Sequence, residues 1–192
     1  MHRRPLIEAL ERYRSEHPGE AAMVQRFLAF VVSEPRCFER ELVAPGHVTG
    51  SAWIVAPEGD AVLLTHHRKL DLWLQLGGHA DGDPDVLEVA RREGMEESGL
   101  PGLEVLDTTG CGEGVPFDVD IHEIPARRTE AAHLHFDVRF AFRAPTRAVT
   151  ASDESHALAW APIGSIGHFT DDKSVLRMAS KWQRQCGRPD CK

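Results

Sequence analysis

Apolar residues recur at helical spacing in two segments near the start of the chain. The first segment begins near Pro5, since proline suits the first turn of a helix, and its apolar face is Leu6, Ile7, Leu10 and Tyr13. The second segment ends before Pro35 and repeats the spacing with Val24, Phe27, Leu28 and Val31. We expect the two helices to form an N-terminal helical extension over residues 1–40 that packs on the rest of the chain.

From His47 onward the pattern changes to short apolar and β-branched runs separated by turn residues. These runs predict strands over residues 47–56, 61–65, 73–76, 117–124, 133–144 and 157–161. Helical patterns return over residues 85–98 and 171–185, and Gly77-Gly78, ahead of the first of these, is expected to open a loop. This order favours an α/β fold in which helices pack against a mixed sheet.

Length and charge narrow the possible classes of function. A chain of 192 residues suits a single domain, 1–192. Its 22 Lys and Arg against 30 Asp and Glu leave a net charge of −8, which argues against general binding to nucleic acid or to an anionic membrane. The longest fully apolar stretch, Phe27 to Val32, is far shorter than the ~20 residues that cross a bilayer, and no apolar region follows the basic N-terminus. We therefore expect a cytoplasmic protein.

The predicted helix over residues 85–98 carries the most informative polar pattern. Glu93, Glu96 and Glu97 are spaced i, i+3 and i+4, so they share one helix face. Their like charges repel unless a divalent cation lies among them, and Mg²⁺ prefers such oxygen ligands. The preceding Gly77-Gly78 pair would let the backbone approach a ligand closely. Taken alone, the spacing also fits a solvated acidic face.

Residues 78–100 read GHADGDPDVLEVARREGMEESGL. This segment resembles the Nudix box, whose pattern is G-x5-E-x7-R-E-U-x-E-E-x-G-U with U a bulky aliphatic residue. The matching positions are Gly78, Arg92, Glu93, Glu96, Glu97, Gly99 and Leu100. The two departures are Pro84, where the first glutamate belongs, and Gly94, where an aliphatic residue belongs.

The resemblance implies a Nudix-type α/β/α sandwich with a mixed sheet, covering the chain from about Val48 onward. It also implies a diphosphohydrolase that uses Mg²⁺ or Mn²⁺ to cleave a diphosphate linkage in a small molecule, such as a nucleoside diphosphate derivative. The ligands that it assigns to the metal are Glu93, Glu96, Glu97 and the backbone carbonyl of Gly77. The general base stays open between Glu93 and Glu154, a later acid just ahead of a predicted strand.

The two departures from the box affect the residues around the glutamates. In the family, Arg92 orients the glutamates through a salt bridge to the first box glutamate, which Pro84 replaces here. We expect Arg92 to pair instead with a nearby acid: Glu88, Asp83 or Asp85. Gly94 costs the helix ~1 kcal/mol relative to alanine, and it would permit close packing of the helix against a strand.

Residues 117–124 and 133–140 alternate strictly between polar and apolar side chains. If the two strands pair antiparallel, one face gathers Asp118, Asp120, His122, His133, His135, Asp137 and Arg139. Such a face could bind a second metal, for which histidine favours Zn²⁺, Mn²⁺ or Fe²⁺. It could equally bind substrate, with His79 after the glycine pair as a further contact, and the residues on the second strand would be His133, His135, Asp137 and Arg139. The pattern also fits the polar face of a half-exposed sheet.

Two other functions stay open. The departure at Pro84 leaves room for a Nudix-fold module that binds or regulates without hydrolysis. A related isomerase of the isopentenyl-diphosphate type would need an active-site cysteine, and neither Cys37 nor Cys111 lies in a matching motif. No residue set singles out one substrate, and the N-terminal helices could serve internal packing or a homodimer contact.

Overall fold

The computed structural model describes residues 2–110, 112, 114–126, 131–153 and 155–186, without the side chains of Gln185 and Cys186. Cys111 and the candidate base Glu154 lie outside the described residues. The helices are α1 (Arg4–Glu16), α2 (Ala21–Ser33), α3 (Val86–Ser98) and α4 (Lys173–Cys186), with 3₁₀ helices at Pro18–Glu20 and Ile163–His168. The strands are β1 (Gly46–Val55), β2 (Ala61–His67), β3 (Leu72–Leu74), β4 (Leu76–His79), β5 (Glu104–Val105), β6 (Asp118–Ile124), β7 (His133–Arg143) and β8 (Ser155–Pro162).

Both N-terminal helices form where the apolar spacing predicts them. The side chains that α1 buries are Leu6, Ala9, Leu10 and Tyr13. Those that α2 buries are Val24, Phe27, Leu28, Phe30 and Val31. Phe30 stacks on Phe136 of β7, with the two ring centroids 3.7 Å apart. The extension is therefore packed against the sheet through aromatic and aliphatic contacts.

Within the described residues, eight strands form one mixed sheet. β1 and β7 are adjacent and parallel, and their register pairs His47 with His135, Thr49 with Asp137 and Ser51 with Arg139. The other pairings are antiparallel: β1 with β2 and β4, β2 with β3 and β8, and β7 with β5 and β6. The antiparallel pairing of β6 with β7 confirms the predicted polar face, since Asp120 lies opposite Asp137 and His122 opposite His135.

The central strand β1 divides its side chains between two apolar cores. Val48, Ala52 and Ile54 lie in a core that includes residues of α1, α2 and α3. Trp53 and Val55 point the other way, into a core that includes residues of α4. Helices thus cover both faces of the sheet. The predicted mixed sheet with flanking helices, preceded by N-terminal helices, is confirmed.

The predicted loop ahead of α3 is present over residues 80–85, but its expected start at Gly77-Gly78 is wrong. Both glycines lie in β4 and pair with Ser51 and Gly50 of β1. A Cβ on Gly77 would collide with Ser51, so the missing side chain permits this close pairing. The short strand β5 and the 3₁₀ helix at Ile163–His168 were not predicted, because neither is long enough to show a periodic pattern. No helix among the described residues is both long and apolar enough to cross a membrane.

Candidate active site

The acidic face lies on α3, and capping residues fix both ends of this helix. Asp85 accepts a hydrogen bond from the backbone N–H of Glu88 at 3.2 Å, and Gly99 ends the helix in the left-handed region with a φ of 68°. The bounds of α3, Val86–Ser98, agree with the helix predicted over residues 85–98. Along the acidic face Glu96 is exposed, Glu93 is half-buried and Glu97 is buried. The face therefore runs from solvent into the contact between α3 and the sheet.

Glu93 packs directly against Gly78 of β4. A Cβ added to Gly78 would collide with the Glu93 carboxylate. Burial raises the pKa of Glu93 above its usual value, and the charges of Glu96 and Asp81 add to this rise while Arg92 opposes it. The carboxylate thus lies against bare backbone, in a setting where it accepts a proton more readily than an exposed glutamate does.

Arg92 connects α3 to the loop that precedes it. Its guanidinium lies 3.7 Å from Asp83 Oδ2 and 3.5 Å from Glu93 Oε1. Asp83, the residue just before Pro84, is therefore the predicted partner that the structure brings to Arg92. The other two candidate acids have different contacts, since Glu88 pairs with Arg91 and Asp85 caps α3.

Gly94 lies where α3 crosses β1. A Cβ on Gly94 would lie 3.0 Å from both Ala52 Cβ and Leu103 Cδ1, and 3.2 Å from Ile54 Cδ1. The aliphatic residue of the box pattern would not fit here without movement of the strand or its side chains. The glycine that replaces the aliphatic residue of the box therefore permits close packing of α3 on β1, as predicted.

The three glutamates share one face, but their carboxylates are spread along it. Among the described residues, the set of metal-ligating side chains whose donor atoms all lie within 4.8 Å of one another consists of histidines and does not include these glutamates. Binding one cation through all three carboxylates would need side-chain rotation, which the exposed Glu96 permits. Gly77, the fourth candidate ligand, lies in β4 next to the Gly78 backbone that Glu93 contacts.

The strand face beside β4 holds a histidine cluster: His47, His79, His122, His133 and His135. Donor atoms of His47, His133 and His135 all lie within 4.8 Å of one another. The His79 ring lies 5.1 Å from that of His47 and 5.2 Å from that of His135, measured between centroids. The His122 ring lies 5.5 Å from that of His135. Since His79 follows Gly78, the cluster adjoins the backbone that Glu93 contacts.

His135 occupies the middle of the cluster. Burial lowers the pKa of His135 to about 2, and the neighbouring histidines His122, His79, His47 and His133 add to the effect. A group with so low a pKa is neutral at physiological pH. The imidazole therefore offers a lone pair and not a positive charge to whatever it contacts.

The rest of the polar face forms a buried network of ion pairs. Arg139 is only 2% exposed and donates to Asp137 at 2.7 Å, to Asp118 at 3.1 Å and to Asp120 at 3.4 Å. Asp137 also accepts hydrogen bonds from two hydroxyl groups of β1, those of Thr49 and Ser51. Asp137 and Arg139 thus have partners within the protein, and substrate binding by either of them stays a prediction.

Residues of α4 close over this network. Arg177 and Lys181 each donate to Asp118 at 2.6 Å, and Lys181 also donates to Glu20 and to the hydroxyl of Tyr13. Burial alone would raise the pKa of Asp118, but the hydrogen bond from Arg177 and the charges of Arg139 and Lys181 outweigh it and lower this pKa. The network therefore joins α1, β6, β7 and α4.

Sequence reasoning did not identify His47 as a member of the cluster. The pattern of residues 47–56 predicts a strand and places His47 on one of its faces. The neighbour of that strand is set by a parallel pairing with a distant segment, which the local pattern does not reveal. The register that pairs His47 with His135 is what brings it to the cluster. A prediction that β1 and β7 are parallel neighbours would have been enough to place His47 in the cluster.

The family model described as "NUDIX domain" matches residues 46–182, which include α3, the glycine pair and the whole sheet. The chain belongs to the NUDIX domain family. The resemblance read from residues 78–100 is confirmed. No curated protein sequence matches this chain.

Solved structures of low sequence identity share the fold of this NUDIX chain. A Caenorhabditis elegans Ap4A hydrolase is 16% identical with a TM-score of 0.54, over 73% of this chain and 97% of that one. The Escherichia coli dihydroneopterin triphosphate pyrophosphohydrolase is 18% identical with a TM-score of 0.55, over 73% and 96%. The NUDIX domain of Shewanella oneidensis NrtR, in complex with ADP-ribose, is 15% identical with a TM-score of 0.53, over 82% and 97%. At these identities the likeness concerns the fold.

Proposed function

We propose that this NUDIX chain is a metal-dependent hydrolase that cleaves the diphosphate linkage of a small molecule, such as a nucleoside diphosphate derivative. The observation that carries the proposal is the contact of Glu93 with the bare backbone at Gly78. It puts a carboxylate of raised pKa at the junction of α3 and β4, with Glu96 and Glu97 on the same helix face. The missing side chain at Gly78 leaves the room that this carboxylate occupies, so the carboxylate lies directly against the strand backbone.

The donor set on α3 suits Mg²⁺ or Mn²⁺. These hard cations take oxygen ligands, and Mg²⁺ sites usually keep positions for substrate phosphate. Glu93, Glu96, Glu97 and the carbonyl of Gly77 would hold the ion. When bound, the ion neutralises the diphosphate oxygens and makes a nearby water more acidic.

The side chains of this site also position the reactants and move the proton. Glu93 accepts a proton from the attacking water, whose oxygen forms a bond to phosphorus as the bridging P–O bond breaks and one phosphate group leaves. Arg92 holds the Glu93 carboxylate in place, and Asp83 in turn holds Arg92. Glu154 stays the alternative proton acceptor. Positioning and charge neutralisation supply most of the rate in such phosphoryl transfers.

The isomerase alternative is not supported by the cysteine that the structure describes. Cys37 is buried, and burial raises the pKa of its thiol to about 12. Such a thiol stays protonated near neutral pH and is a weak nucleophile and a weak acid. A module that binds a diphosphate without cleaving it is the alternative that the experiment must separate from the hydrolase.

The test is release of phosphate or phosphorylated product from a panel that includes ADP-ribose, Ap4A, nucleoside triphosphates and sugar nucleotides, with Mg²⁺ or Mn²⁺. We expect turnover of at least one compound, and Glu97→Gln should lower kcat ~10²-fold or more because it removes a carboxylate ligand and its charge. Glu104→Gln, on the exposed part of β5, is the matched control and should keep the wild-type rate.

Glu97 is buried, so Glu96→Gln at the exposed end of the same face serves as a second variant whose folding is not at risk. Thermal unfolding midpoints of all three variants show whether a lost rate reflects a lost fold. Absence of turnover across the panel, together with measurable binding of a panel compound, would favour the non-catalytic module. Equal rates for Glu97→Gln, Glu96→Gln and Glu104→Gln would reject the α3 site.

A further inference from the structure

Three histidines from two adjacent strands converge on the sheet face next to β4. His133 and His135 are two positions apart on β7, so their side chains project from the same face. His47 joins them from the parallel strand β1, directly opposite His135 in the register. His47 is 1% exposed and His133 is 4% exposed, while His135 is half-buried and leaves the group accessible from one side.

We propose that His47, His133 and His135 form a binding site for a transition-metal ion of the Zn²⁺ class, separate from the carboxylate ligands on α3. Imidazole nitrogens select Zn²⁺ and its transition-metal neighbours, whereas carboxylate and carbonyl oxygens suit Mg²⁺ and Mn²⁺. The two donor sets on this chain therefore favour different ions. The proposal goes beyond hydrolysis at α3, which does not need a histidine-bound ion.

The spacing of the nitrogen atoms matches a shared ion. Nε2 of His133 lies 3.3 Å from Nε2 of His135. Two nitrogen ligands at ~2.0–2.1 Å from one Zn²⁺ in tetrahedral geometry are ~3.3–3.4 Å apart. The donor atoms of all three histidines lie within 4.8 Å of one another, so small side-chain rotations bring the third nitrogen to the same ion.

Backbone carbonyls fix the ring orientations that such a site needs. Nδ1 of His47 lies 3.2 Å from the carbonyl oxygen of Leu42, and Nδ1 of His133 lies 2.9 Å from that of Ala131. A carbonyl only accepts hydrogen bonds, so each Nδ1 donates and each Nε2 carries the lone pair. A histidine ligand that donates its other ring nitrogen to a carbonyl is the usual arrangement around protein-bound zinc.

The histidine site lies close enough to the proposed diphosphate site for a bound ion to affect substrate binding. Three protein ligands leave a fourth position open, as in catalytic zinc sites. His79 lies beside the group, at 5.1 Å from His47 between ring centroids, and Gly78 next to it contacts Glu93. An ion held here adds two positive charges beside the proposed diphosphate site, in a chain whose net charge of −8 otherwise repels anions.

The direct test is titration of the intact, chelator-treated chain with Zn²⁺ alone, followed by calorimetry. We expect about one equivalent of tight binding that millimolar Mg²⁺ does not displace. His135→Asn should weaken the affinity ~10²-fold or more because it removes one of three ligands. His156→Asn, an exposed histidine outside the cluster, is the matched control and should bind as the wild type does. Glu97→Gln should also keep the Zn²⁺ affinity, so this test fails or succeeds independently of the proposed hydrolysis.

Anomalous diffraction at the zinc edge from wild-type crystals grown with Zn²⁺ checks the site without any variant. The proposal predicts one strong peak at ~2.0–2.1 Å from a nitrogen of each of the three histidines. A peak only at the α3 glutamates or at surface histidines would overturn it. So would a Zn²⁺ affinity that His135→Asn leaves unchanged, or the absence of Zn²⁺ binding to a folded wild-type chain.

Discussion

At the scale of single residues, the geometry of the α3 site depends on the missing side chain at Gly78. The Glu93 carboxylate occupies the space that a Cβ at this position would take. The glycine of the box therefore has a specific steric task in this chain, which is to let a helix carboxylate lie against strand backbone. Asp83 compensates for the glutamate that Pro84 replaces. It precedes Pro84 in the chain and pairs with Arg92, the usual partner of that glutamate in the box.

Gly78→Ala should separate this steric task from general stability. The added methyl group would displace the Glu93 carboxylate, which is the far end of a flexible side chain, so we expect the fold to survive. A displacement of ~1 Å at a catalytic group typically costs ~10²-fold in rate, and kcat should fall by about this factor. Gly102→Ala, where no atom lies within 4 Å of the new Cβ, is the control. Similar rates for the two variants would contradict the assigned role of Gly78.

At the scale of elements, α3 is placed by its contact with β1. Gly94 brings the helix axis close to the strand, and Ala52 and Ile54 fill the space below it. The caps at Asp85 and Gly99 fix where α3 begins and ends. The acidic face owes its position to these apolar contacts as much as to the glutamates themselves.

Gly94→Ala tests whether that close packing outweighs helix propensity. Alanine would gain ~1 kcal/mol in a helix interior. Its Cβ would lie 3.0 Å from the Cβ of Ala52, which cannot rotate away, and overpacking of this kind costs ~1–3 kcal/mol. We expect a net loss of ~1 kcal/mol in the free energy of unfolding, measured by denaturant titration. A more stable variant would show that helix propensity dominates and that the contact is loose.

At the scale of the whole molecule, a buried ion network ties the N-terminal extension to the sheet and to α4. Asp118 on β6 accepts from Arg139, Arg177 and Lys181, and Lys181 continues to Tyr13 of α1. These groups hold the polar half of the sheet face together under α4. The histidine cluster lies on the same face, at the N-terminal ends of β1 and β7.

Asp118→Asn should be strongly destabilising, because it removes the charge of a fully buried carboxylate that Arg139, Arg177 and Lys181 share. Breaking such a pair costs ~3–5 kcal/mol in the free energy of unfolding. The control is Asp60→Asn, whose exposed ion pair with Arg147 is worth ~1 kcal/mol at most. Denaturant titrations of both variants at neutral pH measure the difference. A loss for Asp118→Asn as small as that for Asp60→Asn would contradict the network.

The same network predicts how pH affects the difference in free energy of unfolding between the wild type and Asp118→Asn. The pKa of Asp118 is lowered in the folded protein, so its contribution is complete above the ordinary aspartate pKa of ~3.9 and is lost as pH falls through the folded value. The gap between wild type and Asp118→Asn should therefore be constant near neutrality and should shrink in acid. A gap that grows on acidification would contradict the lowered pKa.

The sequence predicted the elements whose patterns are long and local. Helix α3 was predicted from the helical pattern over residues 85–98, and the β6–β7 face from strict alternation. β4 was missed because two of its residues are glycines, which carry no pattern of burial. Two further features were missed for another reason: that His47 belongs to the histidine cluster, and that Arg177 and Lys181 of α4 join the ion network of Arg139. Both depend on contacts between segments far apart in the chain, which local spacing does not encode.

Metal-dependent hydrolysis at the α3 site is best tested by the initial rate of diphosphate hydrolysis by the wild type and by Glu93→Gln, each with Mg²⁺ and after chelation. We predict turnover by the wild type only with the ion, and a rate ~10²–10⁴-fold lower for Glu93→Gln because the proton acceptor beside Gly78 is lost. Turnover that survives chelation, or a Glu93→Gln variant as active as the wild type, would contradict it.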